Sequence, residues 1–483
     1  YRALCPGCGA PVEFRSAQST HAVCGYCQST VVRSGEQLAR IGKMAEVFDD
    51  YSPLQLLVTG TYLQRRFTLV GRLQYRSPTG TWTEWNALFD DGSPGWLAED
   101  NGAYVFTQPL DAQRDLPSAA RFRVGAQTAI NGTSFTVASN VQAVLISAQG
   151  ELPAMPPLGQ PFDMVELRNE AGEVLSIDYT RRPPAVSRGR AVLLEGLALQ
   201  GLKDASAKEE QGRQFSCPHC GAPVTVALAT SKSVTCASCH SLIDLGSGVG
   251  GELRSALQDE PVEPLIALGS VGTLQGQPWQ VVGYQHRWGQ VPGDDEQFGW
   301  SEYLLYNRKL GFCFLVDAEE GWSLVRPATG APRMASSSAT TATYLGASYQ
   351  LKYSYNAETD YVRGEFYWQV RRGQKSFNRD FARGRQLLSL EQDRDEMVWS
   401  VGEQMGSDAV AKAFALDGRK ESLRRGCAEL KPDNDSTSFL KAADDKLYAL
   451  RPGQYRSAYA SGSRSRRPLV PAWRRTLTWL PAS

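Results

Sequence analysis

Apolar residues along this chain recur in short runs separated by turn residues. Leu56 to Val70, Phe135 to Ser147 and Tyr349 to Tyr355 are rich in β-branched and aromatic residues, which fit a pleated, half-buried surface. Turn signals punctuate them at Pro78-Thr79-Gly80, Asp91-Gly92-Ser93-Pro94-Gly95 and Asn131-Gly132. Asn131-Gly132 suits a two-residue type I′ hairpin, because both residues tolerate positive φ. Short helices are expected at Gln37 to Phe48, Glu252 to Gln258 and Asp408 to Leu416. The pattern predicts a mainly β protein whose larger domains are β-barrel or β-sandwich-like.

The chain repeats itself. Cys5 and Cys217 lie 212 residues apart, and Val70-Gly71 recurs at the same offset as Val282-Gly283. Trp82-Thr83-Glu84-Trp85 recurs as Trp300-Ser301-Glu302-Tyr303, and Gly150-Glu151 as Gly364-Glu365. Gly159-Gln160 recurs as Gly373-Gln374, Leu175-Ser176-Ile177-Asp178 as Leu388-Ser389-Leu390-Glu391, and Ser187-Arg188-Gly189 as Ser400-Val401-Gly402. Order is kept throughout, so the chain is a tandem duplication. The expected domains are a zinc ribbon at 1–34, a β-rich domain at 41–200, a second ribbon at 213–247, its β-rich domain at 262–405, and an irregular basic tail at 419–483.

Cysteine spacing defines the ribbons. Cys5 and Cys8 are followed after 15 residues by Cys24 and Cys27, and Cys217 and Cys220 after 15 residues by Cys236 and Cys239. Two knuckles supplying two thiolates each to one tetrahedral ion match a structural zinc site, which predicts two zinc ions per chain. Disulfides would require an oxidising compartment, and redox chemistry would require a βαβ setting. An iron–sulfur cluster also takes four thiolates, but the knuckle pattern favours zinc. His21, His219 and His240 lie in or beside the ribbons, as neighbours of complete four-cysteine sites rather than ligands. Cys313 and Cys427 are read as buried or incidental thiols.

Composition narrows the function. With 51 basic and 51 acidic residues the net charge is zero, which excludes a strongly basic nucleic-acid binder on global electrostatics. No apolar run is long enough for a membrane-spanning helix, and the start Tyr1-Arg2-Ala3-Leu4-Cys5 offers no signal peptide, so the expected location is cytoplasmic. Charge is uneven, however. From Lys446 to Ser483 there are basic residues and scattered Tyr and Trp but no acid, a pattern that fits phosphate or membrane surfaces, or a disordered extension.

Together these segments resemble a bacterial family known as a domain of unknown function, DUF4178, over Cys5 to about Gly402. The resemblance rests on Trp82-x-Glu84-Trp85, Trp300-x-Glu302-Tyr303, Gly364-Glu365-Phe366-Tyr367-Trp368, Leu388-Ser389-x-Glu391 and Trp399-Ser400-x-Gly402. In the first copy Gly150-Glu151-Leu152-Pro153 has lost the aromatics. The resemblance implies a zinc-ribbon-bearing β protein with no assigned activity, linked to polyamine or membrane-associated pathways.

No catalytic constellation stands out. His286 is the one histidine away from the ribbons, so a histidine-based triad in both copies is excluded. Gly246-Ser247-Gly248-Val249-Gly250-Gly251 fits Gly-x-Gly-x-x-Gly but follows a ribbon and reads as a linker. The recurring acids, Glu84 with Glu302, Glu151 with Glu365, and Asp178 with Glu391, are the candidates for ligand chemistry. Strand alternation puts Trp82 and Glu84 on one face and Trp85 on the other, which in an ordinary sheet leaves Glu84 on the solvated side. The first functional expectation is a non-enzymatic adaptor that binds another protein. The alternatives are nucleic-acid binding through ribbons and tail, and a polyamine or small-cation-binding module or hydrolase using the repeated acids.

Overall fold

The computed structural model describes residues 1–425 apart from short internal stretches, the longest being 44–51, 204–212, 246–254 and 259–262. The linker glycines from Gly246, the tail from Lys446 and Cys427 therefore lie outside the described residues. The protein is mainly β, as the alternating runs predict.

Each unit closes an eight-stranded antiparallel barrel from two four-stranded meanders. In the first unit these are Arg65–Arg76, Thr81–Phe89, Pro94–Asp100 and Ala103–Pro109, then Thr133–Leu152, Pro161–Arg168, Glu173–Asp178 and Ala185–Val192. Pairing of Ala103–Pro109 with Ala185–Val192 closes one seam, and pairing of Arg65–Arg76 with Thr133–Leu152 closes the other. The second unit repeats the ring with Gln277–Gln290, Gln297–Asn307, Gly311–Ala318 and Gly321–Pro327, then Ala347–Phe366, Lys375–Arg383, Gln386–Gln392 and Met397–Met405.

The recurring glycines explain one seam. Gly71 pairs with Gly150, and Gly283 pairs with Gly364. A Cβ on Gly71 would lie 2.0 Å from the Glu151 carbonyl oxygen, and one on Gly283 would lie 2.6 Å from that of Glu365. Only glycine lets the two strands cross this closely. The repeated Val-Gly and Gly-Glu pairs thus mark the point where each barrel wall meets its ribbon.

The ribbons are extensions of the barrel sheets. His21–Val23 pairs with Gly150 to Leu152, and Ser233 and Val234 pair with Phe366 and Glu365. The helix expected at Gln37 to Phe48 is not formed in its described part: Gln37–Lys43 is a strand along Ser29–Ser34. The open edge of Ser29–Ser34 supplies a ladder of backbone partners, which outweighs a weak local helix preference. In the expected helix Glu252 to Gln258, Ser255–Ala256 pairs instead with Leu242–Asp244. Gln258 is a buried tie, its side chain exchanging hydrogen bonds with the Val362 backbone at 2.7 Å. The helix expected at Asp408 to Leu416 forms as Ser407–Ala413, and the hairpin turn at Asn131-Gly132 has positive φ at both residues.

Barrel polarity is inverted from the ordinary sheet expectation. Trp85, Leu97 and Phe106 face outward and are buried beneath Leu54, Val58 and Leu197. On the other side Phe135, Val165, Leu167 and Ile177 are buried beneath Ala119 and Phe122. Connecting segments thus cover the apolar outer faces, so the alternate residues, including Glu84, turn into the lumen. The two barrels touch through Ala331 N to Asn169 O at 3.0 Å, Leu345 N to Glu170 O at 2.9 Å, and an Arg333–Glu170 ion pair at 2.9 Å.

Candidate functional site

The eight predicted cysteine ligands assemble into two clusters, Cys5, Cys8, Cys24 and Cys27, and Cys217, Cys220, Cys236 and Cys239. Sulfur atoms lie 3.7 Å apart for Cys5–Cys27, Cys8–Cys24, Cys217–Cys239 and Cys220–Cys236. Thiolates about 2.3 Å from a tetrahedral ion stand about 3.8 Å apart, so each donor set fits one divalent ion. Ser29 lowers the Cys27 thiol to about 6 through its hydroxyl and amide, and Ser241, chiefly through its hydroxyl, does the same for Cys239. Those serines went unnoticed in the sequence, although each lies two residues past a ligand. No histidine joins either cluster among the described residues.

Glu151 and Glu365 are latches between ribbon and barrel, away from the other repeated acids. Glu151 accepts the Arg15 amide at 2.6 Å, and Glu365 accepts Ala227 N, Leu228 N and Ser231 Oγ at 2.7 to 2.9 Å. Burial pushes the Glu151 carboxyl up while the Arg15 and Ser16 amides pull it down. Their repetition follows from this joint.

The remaining acids converge in the lumens. One cavity of about 2230 Å³ is lined by residues of both barrels, Glu84, Asp178, Glu302 and Glu391 among them. In the second barrel Arg287, 4% exposed, is the hub. Its guanidinium donates to Glu391 at 2.7 Å and to Ser376 at 2.8 Å, lies 3.5 Å from Glu302 and sits over the Trp300 ring. Glu302 also accepts Trp300 Nε1 and Gln285 Nε2, both at 2.6 Å. Burial opposes the charges, but the Arg287 cation wins and holds Glu391 below the usual carboxylate range. Beyond them Tyr355 Oη donates to Asp380 at 2.8 Å.

Strand register aligns the two lumens residue by residue. Tyr75 pairs with Trp82 as Arg287 pairs with Trp300, so Tyr75 occupies the arginine's position. Leu73 stands for Gln285, Met164 for Asn378, Val141 for Tyr355, and Phe162 for Ser376. The acids persist: Glu84, Asp178 and Glu166 stand where the second barrel has Glu302, Glu391 and Asp380. Arg168 is engaged by Glu166 and the Ala328 carbonyl, and among the described residues no ion pair reaches Glu84 or Asp178. Burial, then the charges of Glu84 and Asp178, push the Tyr75 phenol well above its usual range, and all three line the one cavity.

Glu84 bears the consequence. Burial pushes its carboxyl up to about 7, with Asp178 and Glu166 adding to the rise and the Trp82 indole opposing it. Between 4.5 and about 7 the folded chain keeps a proton that the unfolded chain has lost, so stability falls as pH rises through that window. Glu84→Gln is expected to raise unliganded stability at pH 8 by up to about 3 kcal/mol and to leave it unchanged at pH 4, as read from urea unfolding. Equal effects at both pH values would show that the carboxylate carries no such penalty.

Residues 58–194 and 267–407 each match the family model described as Domain of unknown function (DUF4178). The chain belongs to this family. The two DUF4178 matches coincide with the two barrels, and the ribbons precede each match. No curated protein and no solved structure matches the chain. Among the described residues no helix is long and apolar enough to cross a membrane.

Proposed function

We propose that this DUF4178 protein is a small-molecule receptor, with a ligand site in the barrel lumen and zinc-bearing ribbons that hold the barrel walls. The observation that carries this reading is the cavity of about 2230 Å³ that residues of both barrels line, larger than the usual 300–1,000 Å³ of a ligand pocket, with Tyr75, Trp82, Trp96, Glu84 and Asp178 on the first barrel's side. In the second barrel Arg287 engages Glu391, Ser376 and Glu302; in the first, among the described residues, Glu84 has the Trp82 indole and Asp178 the Thr180 amide but no ion pair reaches either acid. The first lumen is therefore the open site, and the second is its self-occupied relative. Zinc is the ion proposed for both clusters, because four thiolates at tetrahedral spacing leave no position open for catalysis.

A protein-contact role for the first ribbon is a second reading, favoured by Leu4 and Tyr26, 70% and 77% exposed beside the knuckles. It concerns a different face and is compatible with the first.

Native mass spectrometry of the full chain tests the receptor reading. The expected result is a non-covalent adduct on the wild type that disappears in Ala98→Trp, a change that fills the lumen opposite Glu84. An adduct that persists in a folded Ala98→Trp chain would place the ligand elsewhere and overturn the reading.

A further inference from the structure

The two lumens are a comparison that the chain supplies about itself. In the second barrel two acids from separate strands, Glu302 and Glu391, meet on one guanidinium, with the Trp300 ring stacked against it. In the first barrel the same two acid positions are kept as Glu84 and Asp178, and the aromatic is kept as Trp82. The guanidinium is gone, and the polar neighbours that supported it have become Leu73, Phe162, Met164 and Val141. A wall that loses its polar groups while keeping two carboxylates is costly. Among the described residues Glu84 keeps only the Trp82 indole at 3.1 Å and Asp178 the Thr180 amide at 2.7 Å, and a partly buried carboxylate without a cation costs stability. Retaining both acids makes physical sense if the missing positive charge arrives from outside.

The site is built to receive one. Tyr75 and Trp82 stack with ring centroids 5.2 Å apart, and Phe162 meets Tyr75 edge-on at 5.9 Å. Tyr75 and Trp82 line the cavity with Glu84 and Asp178, so a cation entering there meets aromatic rings and two carboxylates at once. Arg168, which also lines the cavity, is committed to Glu166 and to the second barrel's Ala328 carbonyl.

We infer that the first lumen binds a small organic cation, a guanidinium or a primary ammonium, held between Glu84 and Asp178 in the position that Arg287 fills in the second barrel. The inference rests on the receptor reading and names its ligand class. Guanidinium chemistry is favoured because a planar fork satisfies two carboxylates from different strands, as Arg287 does.

The test uses the metal-loaded full chain with four probes: methylguanidinium and n-butylammonium, and their neutral counterparts methylurea and n-butanol. Binding is read by calorimetry and by the fluorescence of Trp82 and Trp96. The expected result is saturable binding of the cations at one site per chain, weakened at least about tenfold by Glu84→Gln. Tyr75→Arg rebuilds the second barrel's arrangement inside the first and is expected to abolish binding while circular dichroism stays unchanged. Cation binding that Glu84→Gln leaves undiminished, or that survives Tyr75→Arg in a folded chain, would overturn the inference. Neutral probes that bind as tightly as the cations, in a manner blocked by Ala98→Trp, would overturn it and leave the receptor reading standing. Binding of neither class would overturn the inference, and the native mass-spectrometric adduct then decides the receptor reading by itself.

Discussion

Removing the metal from the ribbons is expected to unfold them outright and leave both barrels standing. The second ribbon shows why. Its buried cluster is Cys217, Val224, Val226, Val234, Cys236, Ile243 and Leu245, with two of its seven members belonging to the four-cysteine cluster. A core this small does not hold a fold by burial alone, whereas a four-thiolate zinc site contributes about 10–16 kcal/mol in isolated finger peptides. Without the ion, four thiols 3.7 Å apart also lose the charge that draws them together. The barrels depend on their own seams and covered outer faces, so they keep their structure. Hydrogen exchange after chelation is the measurement, with metal content read in parallel. Amides of 213–216 and 233–244 are expected to lose protection by several orders of magnitude, while those of Gln297–Asn307 remain slow. Protection of the ribbons that survives complete loss of metal would show that their small cores suffice.

The same experiment has a local consequence at the cavity. Thr20 Oγ1 donates to the Pro153 carbonyl at 2.7 Å, and Ser233 Oγ to the Trp368 carbonyl at 3.1 Å. Pro153 and Trp368 both line the cavity, so a ribbon residue holds each rim segment in place. The latches Glu151 and Glu365 lie at the same joint. Placement of a ribbon before each barrel, unexplained by the sequence, follows: the ribbon braces the end of the longest strand, where the wall meets the lumen.

The parts of this architecture legible in the sequence are those fixed by local chemistry. Cysteine spacing specified both four-cysteine clusters, because tetrahedral coordination constrains the knuckles and little else. The repeated glycines and acids announced the duplication, and alternation correctly separated Trp82 and Glu84 from Trp85. Which face is interior was not local information. It was decided by Leu54, Val58 and Leu197, which come from outside the strand and cover Trp85, so Glu84 turned inward rather than to solvent. Closure into a ring was equally nonlocal, since Thr133–Leu152 pairs with different partners along its length. The exchange of Tyr75 for Arg287 was present at the 212-residue offset, but it draws attention only once register places both beside their acids. Gln37–Lys43 failed as a helix because an unpaired strand edge lay beside it.

Arg287→Ala is the substitution expected to damage the second barrel most. It leaves Glu302 inside the lumen with its side chain 14% exposed, and Glu391 with 44% exposed. Breaking a buried pair by removing one partner typically costs about 3–5 kcal/mol, because the remaining charge stays desolvated. Glu391 adds little, since an exposed partner is solvated and screened. Glu302 keeps hydrogen bonds from Trp300 and Gln285, which sets the expected loss near the lower bound, about 3 kcal/mol. For a barrel of this size that lowers the melting temperature by roughly 6–12 °C. Adding Glu302→Gln removes the stranded charge, so the double variant is expected to be more stable than Arg287→Ala alone. Methylguanidinium supplied in solution should restore part of the loss in Arg287→Ala and none in the double variant. Thermal unfolding of the three chains, with and without that probe, decides the matter. If Glu302→Gln deepens the loss instead of relieving it, the arginine acts through packing against Trp300 and the charges around it are incidental.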